Sequence, residues 1–122
     1  MKTILIVDSD LGFLAHLSKS LSAAGYLALP ATTSQTAIPL LEELENSKVD
    51  LLMVNFALPS TADLVTTLKE RNQLLKIIAV EDPRRYVDTN VPVDVSLRKP
   101  YPSGSPVENE WLVTLTQLLG DE

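Results

Sequence analysis

The stretch Val49-Asp50-Leu51-Leu52-Met53-Val54-Asn55-Phe56-Ala57-Leu58-Pro59 decides how the remaining residues are read. Its apolar run from Leu51 to Val54 has no polar interruption, the pattern of a strand buried on both faces at the centre of a parallel sheet flanked by helices. The strand closes on Asn55. In open α/β sheets, ligands and reacting groups gather beyond the carboxyl ends of the strands. Asn55 therefore stands where chemistry is expected, and it offers an amide instead of a carboxylate.

On the amino-terminal side, Thr3 to Val7 is a second apolar run of strand length, and Asp8-Ser9-Asp10 follows it as a polar cluster fit to start a helix. Leu11, Leu14, Leu17, Leu21 and Ala24 then recur at helical spacing, with Gly25 as the stop. His16 falls off that stripe and reads as a surface residue. Tyr26 to Pro30 is a short strand ending on a proline that cannot donate to a ladder. In the next helix Ser34 is a candidate cap and Ala37, Leu40, Leu41 and Leu44 a candidate core face. Pro39 places the regular start of that helix nearer itself.

On the carboxyl side, Asp63 to Arg71 reads as a helix turning Leu64 and Leu68 inward. Lys76 to Val80 reads as a fourth strand running into Glu81-Asp82-Pro83, and Val93 to Leu97 as a short fifth. Between them Pro83, Asn90 and Pro92 leave Arg84 to Thr89 room for one or two turns, so the fourth helix is short or irregular. Ser105-Pro106-Val107-Glu108 has the cap, proline and glutamate that open the last helix, whose stripe is Val107, Trp111, Leu115 and Leu118. Trp111 reads as a core anchor. Strands alternating with helices give a three-layer, doubly wound α/β domain with a five-stranded parallel sheet.

Composition narrows the function. The 122 residues make one domain, 1–122, with 45% hydrophobic content. No apolar run approaches the roughly 20 residues of a membrane span, and Met-Lys-Thr leads directly into the first strand, so a cytoplasmic protein without a membrane segment is expected. With no cysteine and one histidine, thiolate or multi-histidine metal centres and conventional catalytic triads fall away. A net charge of −6 argues against nucleic acid, and Arg84-Arg85 with Arg98-Lys99 reads as solvated surface.

The acids after the first strand, the polar residue closing the third before Phe-Ala-Leu-Pro, and Lys99-Pro100 after the fifth fall in a particular order. Along its whole length the chain thus resembles the CheY-like receiver domain of two-component response regulators. The resemblance implies a flavodoxin-like strand order 2-1-3-4-5, with the ends of strands one and three sharing a pocket. It also implies that position 55 accepts a phosphoryl group from a histidine kinase while an acidic pair after strand one holds magnesium. Asn55 cannot form the acyl phosphate, because its neutral amide is a poor nucleophile. The acidic pair aligns with Asp8 and Ser9, so one member is lost, and Asp10 follows in a helix-capping position. Weak magnesium binding or none is expected, and no cofactor.

Other family positions have changed with it. The hydroxyl switch at the end of strand four aligns with Glu81, and the aromatic switch on strand five with Ser96. Lys99-Pro100 is retained, and the resemblance implies a cis bond there. The expected function is a pseudo-receiver: a signalling interaction module that is not an enzyme, works without phosphorylation, and is frozen in one state or switched by a protein partner. A homodimer through strand five and the last helix is a further expectation. Two alternatives are a small-ligand sensor built on Asp8, Ser9, Asn55, Glu81 and Lys99, and residual phosphotransfer at Asp8 or Asp10.

Overall fold

The computed structural model describes residues 2–43, 48–82, 90–99 and 109–120. Its strands are β1 (Thr3–Val7), β2 (Leu27–Ala31), β3 (Leu51–Val54), β4 (Lys76–Glu81) and β5 (Val95–Arg98). The described helices are α1 (Leu11–Ala23), α2 (Ser34–Glu43), α3 (Thr61–Arg71) and α4 (Asn109–Leu119). All strand pairs are parallel and the sheet order is β2-β1-β3-β4-β5, the order that the family resemblance implies. The short helix expected at Arg84 to Thr89, the cap at Ser105 to Glu108, and residues Leu44, Pro100 and Val107 lie outside the described residues.

Two apolar layers sandwich the sheet. Ile4, Ile6, Leu51, Met53, Ile78, Val80 and Leu97 pack with Phe13, Leu14, Leu17 and Leu21 of α1 and with Trp111 and Leu115 of α4. On the other face Leu5, Val7, Leu52, Val54 and Ile77 meet Ala37 and Leu41 of α2 and Leu64, Val65 and Leu68 of α3. Alternate residues of β1 and β3 thus serve opposite layers, which is why Ile4 to Val7 and Leu51 to Val54 contain no polar residue.

Local chemistry explains where the elements begin and end. In α1, Asp10 caps the helix by accepting from Phe13 N at 3.1 Å. At its other end Gly25, at φ +95°, allows Tyr26 N to reach Leu21 O at 3.0 Å and Gly25 N to reach Ser22 O at 3.1 Å, a Schellman closure. Of the expected core stripe Leu14, Leu17 and Leu21 are buried, but its ends differ: Leu11 is 70% exposed and Ala24 is exposed at the C-cap, while Phe13 is buried. Phe13, Leu17 and Leu21 have the same spacing of four, and only packing against the sheet distinguishes the two phases.

In α2 the helix starts at Ser34 and keeps Pro39 inside it, so the start expected near Pro39 is corrected. Thr33, not Ser34, caps it. Thr36 N donates to Thr33 Oγ1 at 3.1 Å and Thr33 N donates to Thr36 Oγ1 at 3.2 Å, a reciprocal pair that fixes the first turn. Ser34 is buried and instead donates to Pro59 O at 3.0 Å, tying α2 to the loop after β3. Strand β2 is one residue later than expected, and Pro30 is within it, opposite Ile6. It is tolerated because Leu27 N donates to Lys2 O and Ala31 O accepts from Asp8 N. Pro30, out of phase with both, turns its nitrogen to the open edge.

Helix α3 begins two residues earlier than the expected Asp63, and β5 two residues later than the expected Val93. Ser60, which precedes α3, has φ 64° and makes no side-chain cap bond. A left-handed residue with a Cβ costs about 1 kcal/mol, and glycine loses only a few tenths as an N-cap. Ser60→Gly is expected to stabilise the fold by about 0.5–1 kcal/mol, measured as a higher urea midpoint at unchanged slope. A lower midpoint would mean that the serine hydroxyl makes a compensating contact.

Candidate functional site

The register of the central strands builds the site. Val7 pairs with Val54, so Asp8 and Asn55 leave adjacent strand ends side by side, and Asn55 N donates to Val7 O at 3.0 Å. Lys99 follows β5 and is held there by its own backbone N, which donates to Glu81 O at 2.9 Å. Its side chain reaches back over the strand ends towards Asp8.

There Lys99 Nζ lies 3.1 Å from each carboxylate oxygen of Asp8. Asp10 Oδ2 is 3.6 Å away and Asp82 Oδ2 3.7 Å, so carboxylates from three places in the chain surround one ammonium. Its remaining side is covered by the Phe13 ring, whose centroid lies 5.3 Å from Nζ. Asp8 is 0% and Lys99 4% exposed, and at such burial a charge persists only when paired and hydrogen-bonded. The attraction of a desolvated ammonium to a ring face contributes roughly 1–2 kcal/mol more.

Asn55 completes this arrangement as a donor. Its Nδ2 gives a long hydrogen bond of 3.4 Å to Asp8 Oδ2, while its Oδ1 accepts Ala57 N at 3.0 Å. Asp10 N also donates to Asp8 Oδ1 at 2.9 Å. Asp8 therefore accepts from a backbone amide, a side-chain amide and an ammonium.

The expected residues separate into two groups. Asp8, Asp10, Asn55 and Lys99 are brought together, with Asp10 serving both as the α1 cap and as a neighbour of the ammonium. Ser9, Glu81 and Ser96 are exposed. At the end of β4 the carboxylate that joins Asp8 and Asp10 beside the ammonium is that of Asp82, and not that of Glu81, the residue aligned with the family's switch position. Successive strand side chains point to opposite faces, so placing the strand end one residue early selects the wrong acid. Phe13 is the other residue the sequence reading missed, for the phase reason given above.

Beyond the site, Phe13 meets Trp111 edge to face, with centroids 5.5 Å apart and planes at 62°. Trp111 is buried, as its place on the α4 stripe predicts. Among the described residues no group of three histidine, aspartate or glutamate side chains is placed to hold a metal ion, and no helix is long and apolar enough to cross a membrane.

No protein-family model matches the chain, and no curated protein matches it at significant similarity. Solved structures do match. The receiver domain of the TMAO respiratory system response regulator TorR superposes with a TM-score of 0.74 at 22% identity, covering 98% of this chain and 97% of that one. The non-phosphorylated HemR receiver domain from Leptospira biflexa gives 0.73 at 18% identity, covering 100% and 97%. A chain of the complex between histidine kinase ThkA and response regulator TrrA gives 0.68 at 20% identity, covering 98% and 100%. With strand order, parallel pairing and near-complete coverage in agreement, the chain has the fold of the response-regulator receiver domain.

Proposed function

We propose that this chain is a signalling module of receiver fold that acts through protein contacts and without phosphorylation at position 55. The observation that carries this reading is the role of Asn55: it donates a hydrogen bond to Asp8 at the strand ends, where phosphoryl transfer would need an attacking carboxylate oxygen. Asp8 and Asp10 are poor substitutes as acceptors. Asp8 is fully buried beneath Lys99, and Asp10 Oδ1 is committed to the α1 cap.

The donor set does not suit magnesium. An octahedral ion held at about 2.1 Å needs free oxygens, whereas both Asp8 oxygens contact Lys99 Nζ and Asn55 Oδ1 takes an amide proton. The ammonium already supplies the positive charge that a bound cation would supply. A pocket neutralised from within has one resting arrangement, consistent with a module that is read by a partner. That TrrA was solved with the kinase ThkA supports a signalling protein as the partner class. For a second copy of this chain as partner, the support is Val113, 55% exposed on α4, and the edge position of β5 in the sheet.

Incubation with acetyl phosphate and magnesium, followed by intact mass measurement, is expected to show no gain of a phosphoryl group. A stoichiometric, hydroxylamine-labile adduct would overturn the reading, and peptide mapping would then place it on Asp8, Asp10 or elsewhere.

One observation favours a second reading, small-ligand sensing, though away from the strand-end pocket. A groove of about 830 Å³ runs between α3 and the segment before β5, floored by Val65, Ile77, Val91 and Val93 and rimmed by Lys69 and Asp94. Apolar concavities of this size with a few polar groups are common ligand sites. An NMR fragment screen that moves no amide of Val65, Ile77 or Val93 would remove it.

A further inference from the structure

We propose that Phe13 and Trp111 form a buried relay that carries the state of Lys99 to α4. The chain of contact is continuous: Lys99 Nζ lies 5.3 Å from the Phe13 centroid, and the Phe13 ring meets the Trp111 ring edge to face at 5.5 Å. All three residues are at least nine-tenths buried, with exposures of 4%, 3% and 2%. Both rings belong to one core layer with Leu97, which precedes Lys99 by two residues on β5.

The physics of the two contacts makes them transmit. The ammonium is attracted by the negative face of the Phe13 ring, and the edge-to-face contact between the rings orders their relative tilt. In a close-packed layer neither ring can reorient without displacing the other. Any event that draws Lys99 from Asp8, such as the arrival of a partner carboxylate, removes the charge that seats Phe13. The change then reaches Trp111 and the seating of α4. The strand-five position that carries the aromatic switch in the resembled family is Ser96 here, which is exposed, while its neighbour Leu97 is buried. The relay therefore runs through the α1–α4 layer, on the opposite face of β5 from Ser96. It does not depend on whether position 55 is phosphorylated.

Trp111 is the only tryptophan, so its indole N–H gives one assignable resonance. Lys99→Met is expected to displace that resonance, and the displacement to be at least threefold smaller when Phe13→Leu is already present. Asp8→Asn, which removes the charge facing Lys99 while retaining an amide of similar shape, should displace it in the same direction. It also serves as the perturbation if Lys99→Met does not fold. Ser96→Ala should leave the resonance in place. Equal displacement with and without Phe13, or a displacement by Ser96→Ala as large as that from the site variants, would overturn the relay.

Discussion

Lys99→Met is expected to destabilise the domain by about 3–5 kcal/mol, because it leaves the fully buried Asp8 carboxylate without its cation. Methionine matches the length of the lysine stem, so packing against Phe13 is largely kept and the loss is electrostatic. Asp8 would retain hydrogen bonds from Asp10 N and Asn55 Nδ2, which do not neutralise it. The double variant Asp8→Asn with Lys99→Met is expected to recover most of that loss, since removing both members of a buried pair also removes their desolvation cost. Urea denaturation of the parent, both single variants and the double variant measures this coupling. A loss below about 1 kcal/mol in Lys99→Met would show that the pair behaves like a solvent-screened surface bridge.

The second large effect is at the strand end beside it. Asn55→Asp replaces an amide that donates to Asp8 Oδ2 at 3.4 Å with a carboxylate oxygen, turning an attraction into a repulsion between like charges. Lys99 offsets part of this, and the net loss is expected to be about 2 kcal/mol without divalent cations. The variant also restores a carboxylate to the donor set, so millimolar magnesium should recover much of its stability while leaving the parent unchanged. The readout is the thermal midpoint of each protein with and without magnesium. If the variant matches the parent under both conditions, the Asn55–Asp8 contact contributes nothing to the closed pocket.

Asp8 and Asn55 were legible because each directly follows an apolar strand run, and in a parallel α/β sheet strand ends converge on one edge, whereas Lys99, set off from its strand's apolar residues by Arg98, was legible through the family resemblance. The schematic order of strands and helices was legible for the same reason: two-sided burial leaves uninterrupted apolar runs such as Thr3 to Val7 and Leu51 to Val54.

That the ends of strands one and three meet was implied by the family resemblance; what the amino-acid sequence determined by itself was the alternating α/β class and the residue type at position 55, an amide and not an attacking carboxylate. Those follow from periodicity and residue chemistry, which are local. Only the tertiary structure decided which acid at the end of β4 joins Asp8 beside Lys99, because Glu81 and Asp82 differ by one step of a pleat and nothing local fixes where the strand stops. It also decided that Phe13 and not Leu11 faces inward, since both fit a helical stripe until the sheet selects one phase. The same holds for Thr33 as the α2 cap in place of Ser34: the Ser34 hydroxyl is drawn to Pro59 O, a partner 25 residues away that no local pattern reveals. The polar network around Lys99 is likewise a product of long-range contact, joining residues 91 positions apart in a space that only the assembled sheet creates.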